Sequence, residues 1–232
     1  AFRMLPEVVW GMPPLGTFNL HASLLPQYRG AAPIQWAIMN GETETGVTTF
    51  FLQHAIDTGN IIAQKSLPIG PDDRADQVHD GLMALGANLV AETVDAIAED
   101  RCSPTPQSDL AGPEAALKTA PKLFKEHGRL NWNRPVQELH NHIRGLSPYP
   151  GAWTELHSAE RTVLLKVFRA TFEHGETQVA PGSLVTSGRT ALKVAGADGF
   201  IHLHEVQLAG KKRLPVADFL AGFQADAGWT AG

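Results

Sequence analysis

Apolar and polar residues alternate across residues 17–22, and that period of two predicts a short strand. Side chains two positions apart leave a strand on one face, so Asn19 and His21 are presented together. The chain then breaks at Pro26 and Gly30 into a loop. Ahead of it, residues 7–10 can start a helix that Met12-Pro13-Pro14 stops. Behind it, Pro33 suits a first helical turn, residues 34–39 continue the helix and Gly41 ends it. β-Branched and aromatic residues predict strands at 46–52 and 61–67, joined by a loop over 54–60. From residue 72 to 99 the spacing turns to three and four. Val78, Leu82, Leu85, Leu89, Val94 and Ile97 share one side of a long helix there, with Asp72 or Asp73 as its N-cap. Strands interleaved with helices predict an α/β layer arrangement.

Residues 101–121 carry three prolines before Pro121 and little periodicity, which predicts a connector running over the surface. A short helix follows at 135–144, with Val136, Leu139 and Ile143 on one side, and Pro148-Tyr149-Pro150-Gly151 stops it. Alternating segments at 152–156, 161–172, 182–185, 191–194 and 200–208 have the spacing of a small barrel. The basic run Lys211-Lys212-Arg213 precedes a last short helix over 216–223. Two domains are expected, 1–115 and 116–232 with its linker.

Composition narrows the class. With 43% hydrophobic and 19% charged residues, the 232-residue chain can bury a core. No apolar run approaches the ~18 residues of a membrane span, so no membrane partner is expected. Cys102 is the one cysteine, which excludes an internal disulfide and fits a reducing compartment; the cytoplasm and a monomer are expected. The chain opens in mid-pattern with Ala1-Phe2-Arg3, as though a buried strand were ending, and upstream residues are expected to be missing. Residues 1–115 hold 5 basic against 14 acidic side chains, and residues 116–232 hold 14 against 10. That contrast suggests a polyanionic partner for the second half, although an excess of this size is also ordinary scatter.

The chemistry centres on three residues. An asparagine amide offers a neutral N–H to a developing oxyanion, and an imidazole carries a proton near neutral pH. Asp57 lies 36 positions beyond His21 in a loop between strands. Loops at one end of an α/β sheet gather around one crevice, where a carboxylate can orient an imidazole. The plainer readings are a strand end whose polar residues cap a loop, and an Asp-Thr-Gly turn.

The run Asn19-Leu20-His21-Ala22-Ser23-Leu24-Leu25-Pro26-Gln27-Tyr28-Arg29-Gly30 is similar to the signature of the folate-dependent formyltransferases. Ile56-Asp57-Thr58-Gly59 matches that family's second motif at the expected separation. Three further stretches resemble the branch whose acceptor is initiator methionyl-tRNA: 31–37, 41–48 and 143–153. The trailing barrel does too, and the resemblance covers essentially the whole chain. It implies a partial doubly wound, Rossmann-like α/β formyltransferase domain followed by a small OB-like β-barrel. It implies 10-formyltetrahydrofolate as co-substrate, no metal, and Asn19, His21 and Asp57 as the catalytic set. Ser23, Leu24, Leu25 and Pro26 would shape the loop beside them. The segments Arg3-Met4-Leu5 and Ala55-Ile56-Asp57 would bind the pterin through their backbone, although core packing explains Met4, Leu5 or Ile56 taken singly.

An oligonucleotide-binding barrel would hold tRNA through Lys211, Lys212 and Arg213, with Arg144 and Lys166 as further candidates. A solvated turn accounts for the basic run equally well. Family members carry the first half of the α/β domain ahead of this point, so the fragment alone is expected to be inactive or poorly stable, with sheet edges exposed. The competing readings are a sugar-nucleotide formyltransferase, a formyltetrahydrofolate hydrolase and a non-catalytic tRNA-binding module. A metal site fits less well. His140 and His142 point apart on a helix, and no carboxylate stands at ligand spacing from His202 and His204 in the sequence.

Overall fold

A single helical turn, α1 (Glu7–Trp10), ends at Gly11, and β1 (Phe18–His21) follows in the computed structural model, which describes residues 5–111, 117–188, 190–225 and 228–232. A bend leads through β2 (Arg29–Gly30) to α2 (Pro33–Met39), β3 (Glu44–Phe51) and β4 (Ile61–Pro68). β1, β3 and β4 form a sheet in that order with both pairs antiparallel, and His21 lies opposite Thr48.

α3 (Ala75–Ala98) lies on this sheet. A Cβ added at Gly86 would stand 2.7 Å from a Leu20 methyl, so the helix approaches the strand as closely as a glycine allows. Val78, Leu82 and Leu89 are buried as the spacing predicts. Val94, expected inward, is instead half exposed, and Thr93 takes the inner place. The Thr93 hydroxyl donates to the Leu89 carbonyl and meets the Thr49 hydroxyl at 2.9 Å. By length and composition α3 could cross a bilayer, contrary to the sequence expectation, but here one of its faces covers the sheet.

The proline-rich stretch also departs from the expected surface connector. Thr105 bridges to Ile61, the short α4 (Gln107–Leu110) buries Gln107, and β5 (Thr119–Ala120) pairs in parallel with β2. Two-residue strands carry no period to detect, so their pairing was invisible in the sequence.

The chain divides into two compact units, one of residues 1–37, 42–71 and 77–123 and the other of 38–41, 72–76 and 124–232. The second opens with a 3₁₀ turn (Lys125–Gly128) and α5 (Val136–Gly145). The strands β6 (Ala152–His157), β7 (Thr162–His174), β8 (Leu184–Ser187), β9 (Ala191–Ala195) and β10 (Gly199–Leu208) follow the predicted segments closely. β11 (Leu214–Pro215), α6 (Val216–Gly222) and β12 (Thr230–Ala231) complete the chain. The strand order is β12-β6-β7-β10-β9-β8, and a bridge between Ser183 and Thr230 joins its two ends, closing the sheet into a barrel.

Alternation fills the barrel. Ala152, Thr154 and Leu156 point inward with Leu165, Val167, Leu192, Val194, Ile201 and Leu203. Buried Thr154 accepts from the Trp132 indole, so the one hydroxyl in this layer is satisfied. α5 covers the core with Val136, Leu139 and Ile143. The Asp198 carboxylate accepts the Val136 N–H at 2.8 Å, a cap from outside the helix worth about 1 kcal/mol.

Candidate active site

His21 ends β1 and is 7% exposed. Its Nε2 lies 2.9 Å from the Tyr28 carbonyl, which can only accept, so Nε2 carries the hydrogen and Nδ1 turns the other way. There Nδ1 meets Asp57 Oδ2 at 3.8 Å, an electrostatic contact rather than a direct hydrogen bond. The same carboxylate oxygen accepts the Gly30 N–H at 3.1 Å. Residues 36 positions apart thus converge, but not by the crevice argument: β1 and β3 are antiparallel, and the loop carrying Asp57 leaves β3 beside Phe18, at the opposite end of β1 from His21.

The loop between them is pinned from three sides. Ser23, fully buried, donates its hydroxyl to the Gln27 carbonyl at 2.6 Å. The Thr48 hydroxyl donates to the Ser23 carbonyl and accepts the Leu25 N–H, while the Gln64 amide donates to the Leu25 carbonyl. Leu25 packs with Phe50 and Ile61, Pro26 is buried and Leu24 half-buried. The Tyr28 hydroxyl donates to Glu42, which also receives the Lys118 ammonium. Burial pushes the Glu42 carboxyl up, but these two donors outweigh it and hold it below the usual range.

Asp57 sits at φ +55°, a left-handed conformation that Asp tolerates better than most residues. Gly59 is required by close approach, since a Cβ there would stand 1.6 Å from the Phe51 carbonyl oxygen. Gly30, at φ +127°, would likewise drive a Cβ to 2.3 Å from the Ala120 oxygen. Ala55 accepts the Thr58 hydroxyl through its carbonyl. Ile56 is 61% exposed beside the carboxylate, so core packing does not account for it, and Leu5 is exposed as well. Asn19 is exposed on β1, and among the described residues its amide makes no hydrogen bond. Arg3 and Met4 lie outside the described residues.

Gln107 was missed by sequence reasoning. Its amide donates to the carbonyls of Asp57 and Gly59 and accepts from the Arg29 guanidinium. Its sequence context, Pro104-Thr105-Pro106-Gln107, has no period and no motif that would single it out.

The expected tRNA-binding residues separate into two groups. Lys211 and Lys212 are exposed. Arg213 is exposed too, stacked on the Phe168 ring at 3.6 Å with Glu205 alongside. Lys166 donates to the Pro150 carbonyl and is half-buried. Arg144 is buried, donating to the Asn141 side chain and the Asp73 carbonyl, so it presents no charge to a polyanion and that expectation is corrected. Burial lowers the Arg144 guanidinium from its ordinary value, with Asp73 and Asp72 opposing.

The second unit's histidines also have structural surroundings. Burial pushes His142 down to about 4, and His140 is lowered by burial and by Arg144. His202 meets Glu173 from the neighbouring strand at 3.2 Å, a carboxylate that sequence spacing did not reveal, and His204 bonds to Thr171. Burial lowers His204, helped by the nearby charges of Arg169 and His202.

Buried imidazole, carboxylate and the bend between them fall in the part of the chain, residues 2–94, that matches the family described as formyl transferase, and residues 122–224 match its C-terminal domain. The chain belongs to the formyltransferase family. It is 54% identical over its whole length to the methionyl-tRNA formyltransferase of Parabacteroides distasonis, covering 72% of that protein. It is 55% identical to the methionyl-tRNA formyltransferase of Bacteroides thetaiotaomicron, over 99% of this chain and 71% of that one. Two solved structures share the fold at 22% identity. HypX from Aquifex aeolicus, in complex with tetrahydrofolic acid, superposes with a TM-score of 0.68 over 95% of this chain and 37% of its own. The N-formyltransferase from Helicobacter canadensis, with folinic acid and dTDP-3-aminofucose, gives 0.61 over 85% of this chain and 66% of its own.

Proposed function

We propose that the chain transfers the formyl group of 10-formyltetrahydrofolate to the α-amine of initiator methionyl-tRNA, in the cytoplasm and as a monomer. The observation that carries this reading is the Asp57 carboxylate standing 3.8 Å from the His21 ring. The folate supplies the formyl carbon. Ile56, an apolar side chain left uncovered beside the carboxylate, fits a flat ring system, and Leu5, the 55–57 backbone and the loop 23–26 are the further segments assigned to the folate.

Protonated His21, donating from Nδ1 while Nε2 stays on the Tyr28 carbonyl, and the Asn19 amide stabilise negative charge on the formyl oxygen as the amine attacks; one such donor is worth roughly 10²–10³ in rate. Asp57 orients the imidazole and passes the proton that the amine loses to the folate nitrogen, whose bond to the formyl carbon breaks as the new C–N bond to the amine is kept. Ser23 forms no covalent bond to substrate, since its hydroxyl is tied to Gln27. Lys211, Lys212 and Arg213 meet the tRNA backbone, so affinity falls steeply as salt rises, and Lys212→Ala lowers the slope of log K against log salt by about 1.

The test is an acceptor panel: 10-formyltetrahydrofolate with methionyl initiator tRNA, with an amino-sugar nucleotide, or with water alone. Formylated methionyl-tRNA as the dominant product is the expected result. Formate released equally fast without acceptor, or a formylated sugar, overturns it, and tRNA binding with no transfer, even with the upstream segment of a longer relative supplied, leaves only a binding module.

A further inference from the structure

Gln107 is 4% exposed, and the reaction scheme above gives this side chain no task. Its Oε1 accepts from Arg29 Nε at 2.9 Å and Nη2 at 2.5 Å, and its Nε2 donates to the carbonyls of Asp57 and Gly59, each at 2.9 Å. A guanidinium only donates and a backbone carbonyl only accepts, so the amide has one possible orientation with both of its ends in use. These bonds close a circuit. Arg29 precedes Gly30, whose N–H reaches Asp57 Oδ2, and the Asp57 backbone returns through Gln107 to the Arg29 side chain. The circuit is anchored outside the loop, because Arg29 and Gly30 pair with Thr119 and Ala120.

Asp57 holds a left-handed φ of +55°, which an unsupported loop would relax. We infer that Gln107 is a positioning residue, fixing where the Asp57 carboxylate lies against His21 by gripping the 57–59 backbone and the Arg29 side chain at once. An amide suits this task because it places donors and acceptors in one plane. A carboxylate would turn lone pairs toward two carbonyl oxygens, and an apolar side chain would leave those carbonyls and a guanidinium unsatisfied in a buried place. The inference rests on His21 and Asp57 being the reacting pair.

The test is Gln107→Glu, which keeps the acceptor for Arg29 and removes the two donors. Steady-state formyl transfer is measured beside the melting temperature, with His21→Ala in parallel. A displaced carboxylate lowers kcat roughly 10–100-fold with a much smaller change in KM, at a temperature below a melting point that falls as two buried carbonyls lose their donors. Wild-type kcat in Gln107→Glu, with His21→Ala inactive, overturns the positioning role. A fully active His21→Ala instead overturns the reaction reading itself. Should Gln107→Glu fail to fold, Arg29→Lys asks the same question from the other end, since an ammonium cannot offer the two-pronged donor. A lowered kcat with unchanged KM there supports the clamp, and an unchanged kcat overturns it.

Discussion

Asp57 combines a strained backbone with the charge that the proposed reaction uses, and the two can be separated by substitution. Asn also tolerates the left-handed region, and its side-chain oxygen can accept the Gly30 N–H. Asp57→Asn is therefore expected to melt near wild type while kcat falls roughly 10²–10⁴-fold, a split seen by pairing calorimetry with the transfer assay. Gly59→Ala acts in the opposite sense. Its Cβ must displace the Phe51 carbonyl, so stability falls by about 1–3 kcal/mol in urea titration before any chemistry is considered. Of these residues, Asn19 and His21 were legible from a period of two. The approach of Asp57 to His21 was not, because no local rule spans 36 positions; the family motifs pointed to it, and so did a shared-crevice expectation that the antiparallel pairing of β1 with β3 does not follow. Gln107 was illegible altogether, since a polar residue in a proline-rich stretch looks the same whether it faces water or two buried carbonyls.

At the level of elements, pattern succeeded where a segment is long and one-sided. The barrel strands, with Ala152, Thr154 and Leu156 inward, follow their alternation. α3 shows where the same logic slips. Val78, Leu82 and Leu89 lie on the sheet, and the next inward position falls at 93, where a threonine stands, rather than at apolar Val94. A hydroxyl bonded to the Leu89 carbonyl and to Thr49 is as good an interior group as a methyl, and hydropathy cannot register that. Thr93→Val should cost about 1–2 kcal/mol by leaving the Thr49 hydroxyl poorly bonded. Val94→Ala, on the exposed side, should stay within about 0.5 kcal/mol in the same denaturation series.

For the molecule as a whole, the buried histidines of the second unit set its response to acid. His142 titrates at about 4 when folded and near 6.5 when unfolded, because burial disfavours the imidazolium. A lowered histidine value means that the unfolded chain binds the proton more readily. Stability is thus intact above pH 6.5, declines as pH falls toward 4, and levels off below. The loss reaches on the order of 3 kcal/mol, and His140, lowered in the same direction, adds to it. Urea midpoints of the second unit's transition at pH 7.5 and 4.5 should differ accordingly, and His142→Gln should narrow the difference. A different property follows from the pairing of β2 with β5. The bend after His21 is locked by Thr119 and Ala120, and the Asp57 turn by Gln107, all made much later in translation. A nascent polypeptide that has already left the ribosomal tunnel as far as Gly59 still lacks both fasteners, and the proposed His21–Asp57 site gains them only once Ala120 has emerged.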